Sequence, residues 1–202
     1  RGWARQSGVQ TRLLWHKAID TWGTTTADGR VLSFPDWETG ELGVRDLVAG
    51  VSRRVTNNGG YKSKGEVEGT AISPSGNLIA FGWQRWDPAA KTEGGYQLRV
   101  VGANGGPERI VVSGRDVNYA DPQSWSPDEK WVATNVHYES LPGGGKIVLV
   151  AADGSQTRTA VTVTDRRPRK AAFSPNGQWL AYNTALQGGS LEPNAQRQDL
   201  FV

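Results

Sequence analysis

The sequence predicts an all-β protein, a β-propeller of four-stranded blades with three complete blades and a partial fourth. Two observations carry this. One phrase recurs: SPSGNLIAFGW at 73–83, SPDEKWVATNV at 126–136, SPNGQWLAYNT at 174–184, and a worn form, TADGRVLSFPD, at 26–36. Measured at Asp28, Ser75, Asp128 and Asn176, the copies stand 47, 53 and 48 residues apart. A fixed period of roughly 50 residues belongs to propellers and related arrays. A sandwich also has short strands and frequent turns, but it does not need four copies of one phrase.

Each copy reads as a hairpin. A small residue and usually a proline lead into a turn pair (Asp28-Gly29, Ser75-Gly76, Asp128-Glu129, Asn176-Gly177), and an apolar/polar alternation follows. Asx-Gly between two strand-like runs is the strongest short-range hairpin signal, because Gly and Asn accept the positive φ that such turns require. A second phrase follows the first three copies: LGVRDLVAGVSRRVT at 42–56, YQLRVVGANGGPERIV at 96–111 and KIVLVAADGSQTRTAV at 146–161. Each is a further hairpin, turning at Ala49-Gly50, Asn104-Gly105 and Asp153-Gly154. Two hairpins per unit make four strands, which is one blade.

The blades are expected at about 19–56, 67–112, 122–162 and 170–202, the last without its outer strand. Residues 1–18 lack the repeat and form an N-terminal extension, in which 11–15 can serve as an added strand. Propellers usually close a ring of about four to eight blades, which hides their strand edges. Further chain or a partner is therefore expected to cover the last blade. Trp125, Trp131 and Trp179 are expected to fill the wedges between neighbouring blades.

The chain has 202 residues, a net charge of +3 and no cysteine. That removes disulfides, thiolate metal sites and cysteine nucleophiles from consideration. No apolar run reaches the ~18 residues of a membrane span. The first residue is Arg1 and methionine is absent, so a removed leader or a longer product is expected. The basic excess sits in Arg53-Arg54, Lys62 with Lys64, and Arg166-Arg167 with Arg169-Lys170. These read as solvated loops rather than the basic stripe with stacking aromatics that nucleic acid requires.

The grammar of Ser73-Pro74-Ser75-Gly76, Ser126-Pro127-Asp128 and Ser174-Pro175-Asn176-Gly177, with Ala152-Asp153-Gly154-Ser155 as its second turn, resembles the TolB-type, or PD40, WD40-like bacterial propeller repeat. The first unit, from Thr26 through Leu47, is similar to a subgroup of such propellers. The resemblance spans about residues 13–202. It implies a six- to eight-bladed ring and an extracytoplasmic, periplasmic setting as a module of a larger assembly. Ser75 and Asn176 in place of Asp, and Glu129 in place of Gly, depart from the pattern.

Blades send alternate loops to opposite ends. The two hairpin turns lie at one end and are short. At the other end lie 84–95, 137–145 and 185–197 within blades, and 57–68, 113–123 and 163–169 between blades. Long loops on a rigid scaffold are where binding residues gather. The partner-binding candidates there are Trp83, Arg85, Trp86, Tyr119, His137, Tyr138, Arg166 and Arg167, of residue types that dominate interface energetics.

Catalytic chemistry finds no constellation. There is no G-x-S-x-G nucleophile elbow, and the two histidines, His16 and His137, are isolated. Asp116 and Asp121 share a loop but lack calcium-site spacing, and the Asn-Gly-Gly at 58–60 and the glycines at 143–145 precede no helix that would make a phosphate cradle. No metal and no cofactor is expected. The reading is a non-catalytic protein-docking module of a larger envelope assembly. Two alternatives stand beside it: the accessory propeller of a peptidase or hydrolase, and a small-ligand or glycan sensor using Trp83 and Trp86.

Overall fold

A computed structural model describes residues 22–63, 65–85, 95–186 and 198–202. The N-terminal extension and Trp86 lie outside these residues. Among the described residues fourteen strands form four antiparallel sheets in chain order. The first holds β1 (Val31–Asp36), β2 (Glu41–Asp46) and β3 (Val51–Arg54); the second β4 (Gly65–Ile72), β5 (Leu78–Arg85), β6 (Tyr96–Gly102) and β7 (Arg109–Val112). The third holds β8 (Val117–Trp125), β9 (Trp131–Tyr138), β10 (Gly145–Ala151) and β11 (Thr157–Val163); the fourth β12 (Arg166–Phe173), β13 (Leu180–Leu186) and β14 (Gln198–Phe201). These are propeller blades, two of four strands and two in which three strands are assigned. The first gains an inner strand from residues 22–26: Ser33 N–H donates to Thr24 O (3.0 Å), and Thr26 N–H to Val31 O (2.9 Å).

The repeated phrase is a hydrogen-bonded turn. In the third blade Ser126 N–H donates to Trp131 O (2.8 Å), and Trp131 N–H returns to Ser126 Oγ (3.0 Å). Ser126 Oγ–H then donates to Asp128 Oδ1 (2.6 Å), which also accepts Lys130 N–H (3.2 Å). The same bonds recur at Thr26, Asp28 and Val31, and at Ser174, Asn176 and Trp179. Position four takes φ 69°, 79° and 71° at Gly29, Gly76 and Gly177, and 57° at Glu129.

The core lies between blades, not within one. Leu42 and Val44 of the first blade pack on Val67, Ile79, Phe81 and Trp83 of the second. Tyr96 and Leu98 pack on Val117, Ala120, Val136 and Val148, and Ala71, Ala80 and Val100 receive Trp125. Ala133 and Ile147 meet Ala171 of the fourth blade. Full burial of an Ile, Leu or Phe contributes about 1.5–3 kcal/mol, so the inter-blade wedges carry the hydrophobic stabilisation. The Trp125 indole N–H donates to Ala71 O at 2.8 Å, joining two blades with a bond as well as an apolar ring.

Three expectations need correction. Trp179 does not fill a wedge: it is 61% exposed on the last blade, whose far face no described residue covers. Trp131 is half-buried and lies beneath Arg158, with the guanidinium carbon 4.6 Å from the ring centroid. The first strands of the second, third and fourth blades start at Gly65, Val117 and Arg166, earlier than read. Each carries a bulge, between Val67 and Thr70, twice along β8, and between Pro168 and Ala171. Bulges let a strand absorb Pro122, Pro168 and charged residues that would otherwise end it. Much of what reads as inter-blade loop is therefore strand.

Candidate functional site

At the end of the sheets opposite the repeated turns, the third and fourth blades part to leave a cleft of about 690 Å³. Its walls are the start of β8 (Asn118, Tyr119, Asp121), the end of β9 (Asn135, His137, Tyr138), the turn after it, and the start of β12 (Arg167, Pro168, Arg169). Trp22, from the first blade, closes one side. Its ring lies 5.3 Å from the Lys170 ammonium of the fourth blade.

Local sequence positions each wall. The turn after β9 is held by Asp116, which accepts Ser140 N–H (2.7 Å) and Ser140 Oγ–H (2.5 Å), and whose carbonyl accepts Glu139 N–H (2.8 Å). These bonds keep the Asp116 carboxyl below its ordinary range. Gly145 leaves room for the imidazole: a Cβ there would stand 2.8 Å from His137 Cδ2 and 2.9 Å from Pro168 Cδ. The His137 ring stacks on Tyr119 at 4.9 Å, and Tyr119 leans on Tyr96 at 5.1 Å. Tyr96 in turn donates to Glu68 Oε2 at 3.0 Å.

The electrostatics follow from burial. His137 is pulled down to about 4, first by burial and then by the Arg167 and Arg169 guanidiniums, so its ring is neutral at physiological pH. Asp121, 3% exposed, is pushed up to about 7 by burial, against the opposing pull of Lys170, Gln123 and Tyr119. It accepts a bond from Gln123 Nε2 and sits against Gly69, where a Cβ would collide with its Oδ1. Burial likewise raises Tyr119 and Tyr96 above their ordinary range. Asn135 Nδ2 donates to Arg169 O at 2.5 Å, tying β9 to the next blade.

Four of the eight candidates from sequence, Tyr119, His137, Tyr138 and Arg167, line this cleft. All four stand on strands rather than in loops. Arg166, one residue from Arg167, pairs instead with Asp165 at 3.4 Å. Trp83 belongs to the core: it is 4% exposed, wedged between the first and second blades, with Arg99 over its ring at 5.1 Å. The alternation of β5 turns it inward, so it offers no contact surface. Arg85 is exposed at the end of β5, in the second blade. Sequence reasoning missed Trp22, Asn135 and Arg169 as parts of the site. Asn135 carried a signal: it shares its repeat position with Asn183, a polar amide where the alternation calls for a buried residue.

Among the described residues no group of three His, Cys, Asp or Glu is arranged to hold a metal ion, and no helix is long and apolar enough to cross a membrane.

No family model and no curated protein matches the chain. Solved structures do. The putative TolB from Agrobacterium tumefaciens superposes with a TM-score of 0.65 at 19% identity, over 86% of this chain and 57% of that one. TolB from Acinetobacter baumannii gives 0.57 at 19% identity, over 85% and 39%. Oligogalacturonate lyase from Vibrio parahaemolyticus gives 0.59 at 14% identity, over 87% and 49%. The chain thus spans about half the length of these three structures, and its fold is that of a TolB-like β-propeller.

Proposed function

We propose that this chain is a non-catalytic protein-docking module, with repeats of the PD40 kind, serving a larger assembly on the extracytoplasmic side of a bacterial envelope. The observation that supports this most is the cleft between the third and fourth blades. Aromatic rings, arginines and a short apolar turn (Leu141, Pro142) meet there on a scaffold of paired strands. Tyr, Trp and Arg are the residue types that anchor protein interfaces. The opposite end is made of tight, self-bonded turns with little to offer a partner.

A photo-crosslinking amino acid placed at Tyr138, and separately at Lys130 on the turn end, tests this in the native host. The expected result is a discrete cross-linked protein from Tyr138 and none from Lys130. Cross-links arising only at Lys130 would sink the reading.

A further inference from the structure

We propose that the cleft grips a peptide segment of the partner through an acidic side chain, its carboxylate held by Arg167 and Arg169 and its main chain read by Asn135 and His137. This rests on the docking reading and adds its chemistry.

Pairing sets two arginines of the cleft apart. Arg30, Arg99 and Arg166 each meet a carboxylate within 3.4 Å. Arg167 and Arg169 are exposed, line the cleft and meet none among the described residues. Both line the cleft beside His137, where their charge disfavours a proton on the imidazole. The carboxylates in the cleft are Asp121 and Glu139. Asp121 is buried against Gly69 and engaged by Gln123, and Glu139 follows β9, across the cleft from β12. Guanidinium groups match carboxylates through paired, planar hydrogen bonds.

Two buried polar atoms supply the other half. Asn135 is 2% exposed, and its Oδ1 has no hydrogen-bond partner among the described residues; nor does His137 Nε2. A buried polar atom left unpaired costs about 1–3 kcal/mol. Asn135 Oδ1 can only accept, so it calls for an N–H or O–H. A neutral imidazole nitrogen complements a carbonyl when it carries the proton. A peptide group brings both an N–H and a C=O a few ångströms apart. Leu141, Pro142 and the Tyr138 ring, itself under Lys146 at 4.9 Å, supply the apolar wall for neighbouring side chains.

Short random peptides displayed on phage, selected on the 202-residue chain, test the proposal. The expected selections share an Asp or Glu. A synthetic representative should lose affinity about tenfold or more in Arg167→Glu and in Arg169→Glu, in keeping with a desolvated charge pair. The double Lys variant, Arg167→Lys with Arg169→Lys, should lose less, since charge survives without the planar fork. Peptide should also shift the His137 ring signals in NMR spectra. Circular dichroism of each variant confirms that the blades are intact. Selections without an acidic residue, or affinity indifferent to both charge reversals, would overturn the proposal. So would a galacturonate oligosaccharide that moves the His137 signals where no peptide does. If Tyr138 still cross-links a protein in cells while the reversals change nothing, the docking reading survives and this inference does not.

Discussion

Ser75 and Glu129 both break the repeat, and the fold joins them. The Glu129 carboxylate accepts Ser75 N–H at 2.5 Å and Ser75 Oγ–H at 2.8 Å, clasping the turn of the second blade to that of the third. An Asp at 75 would set two carboxylates against each other, so the Ser depends on the Glu. The left-handed backbone at Glu129 costs about 1–2 kcal/mol, and the two hydrogen bonds of the clasp return a similar sum, about 0.5–1.5 kcal/mol each. Glu129→Gly should therefore change stability little. Ser75→Asp should destabilise, and the double variant should recover most of that loss; a double-mutant cycle in urea reads the coupling.

Titration at this scale has two directions. Asp28, Asp46, Asp116, Asp128 and Asp153 lie below 3.8 in the folded chain because turn amides and hydroxyls bond to them. Their contribution is present above the unfolded value and is lost as pH falls through the folded one. Asp121 runs the other way: raised to about 7, it binds a proton more tightly folded than unfolded, so stability falls as pH rises from about 4 to 7. His137, lowered to about 4, makes stability rise from about 4 to 6.5. The two slopes oppose, and the melting temperature should be nearly flat across that window. Asp121→Asn should uncover the His137 slope, about 1.4 kcal/mol per pH unit for one proton. A flat profile in that variant would refute the assignment.

At the scale of elements, one residue type has two fates. Trp125 ends β8 inside a wedge and donates its N–H across blades; Trp179 precedes β13 on a face that no described residue covers. Trp125→Ala should cost about 3–5 kcal/mol, and Trp179→Ala should stay within about 0.5 kcal/mol. Comparable losses in chemical denaturation would mean that Trp179 is covered. Outer strands also reach forward: Arg53 donates to Ala103 O at 2.6 Å, and Arg109 to Ala152 O at 3.2 Å. The motif repeats with the blades, yet its two arginines stand in phrases that differ enough to hide it in the sequence.

Over the whole molecule, each blade buries its core against the next, so stability should be graded along the array. The second and third blades are sandwiched, and no described residue covers the far face of the fourth. Its third strand is short and open: β14 has four residues, and Leu200 is 74% exposed where its counterparts Leu98 and Ile147 are fully buried. Amide exchange should be slowest in β5 and β9 and fastest in β14. Uniform protection would show the four sheets opening as one unit.

The sequence by itself determined the blade. Its turns are local, closed by bonds among residues five positions apart, so Ser126, Asp128 and Trp131 announce their own geometry. The alternation that follows sorts Ile79 and Phe81 inward without reference to anything distant. Only the tertiary structure decided the site. The bulges that carry Tyr119 and Arg167 onto strands depend on pairing with β9 and β13. The cleft brings together Trp22, Asn135 and Arg169 from three blades, across separations no local pattern encodes. Trp83 shares the face of Ile79 and Phe81, so the alternation already turns it inward; what the tertiary structure adds is its partners there, Leu42 and Val44 of the preceding blade.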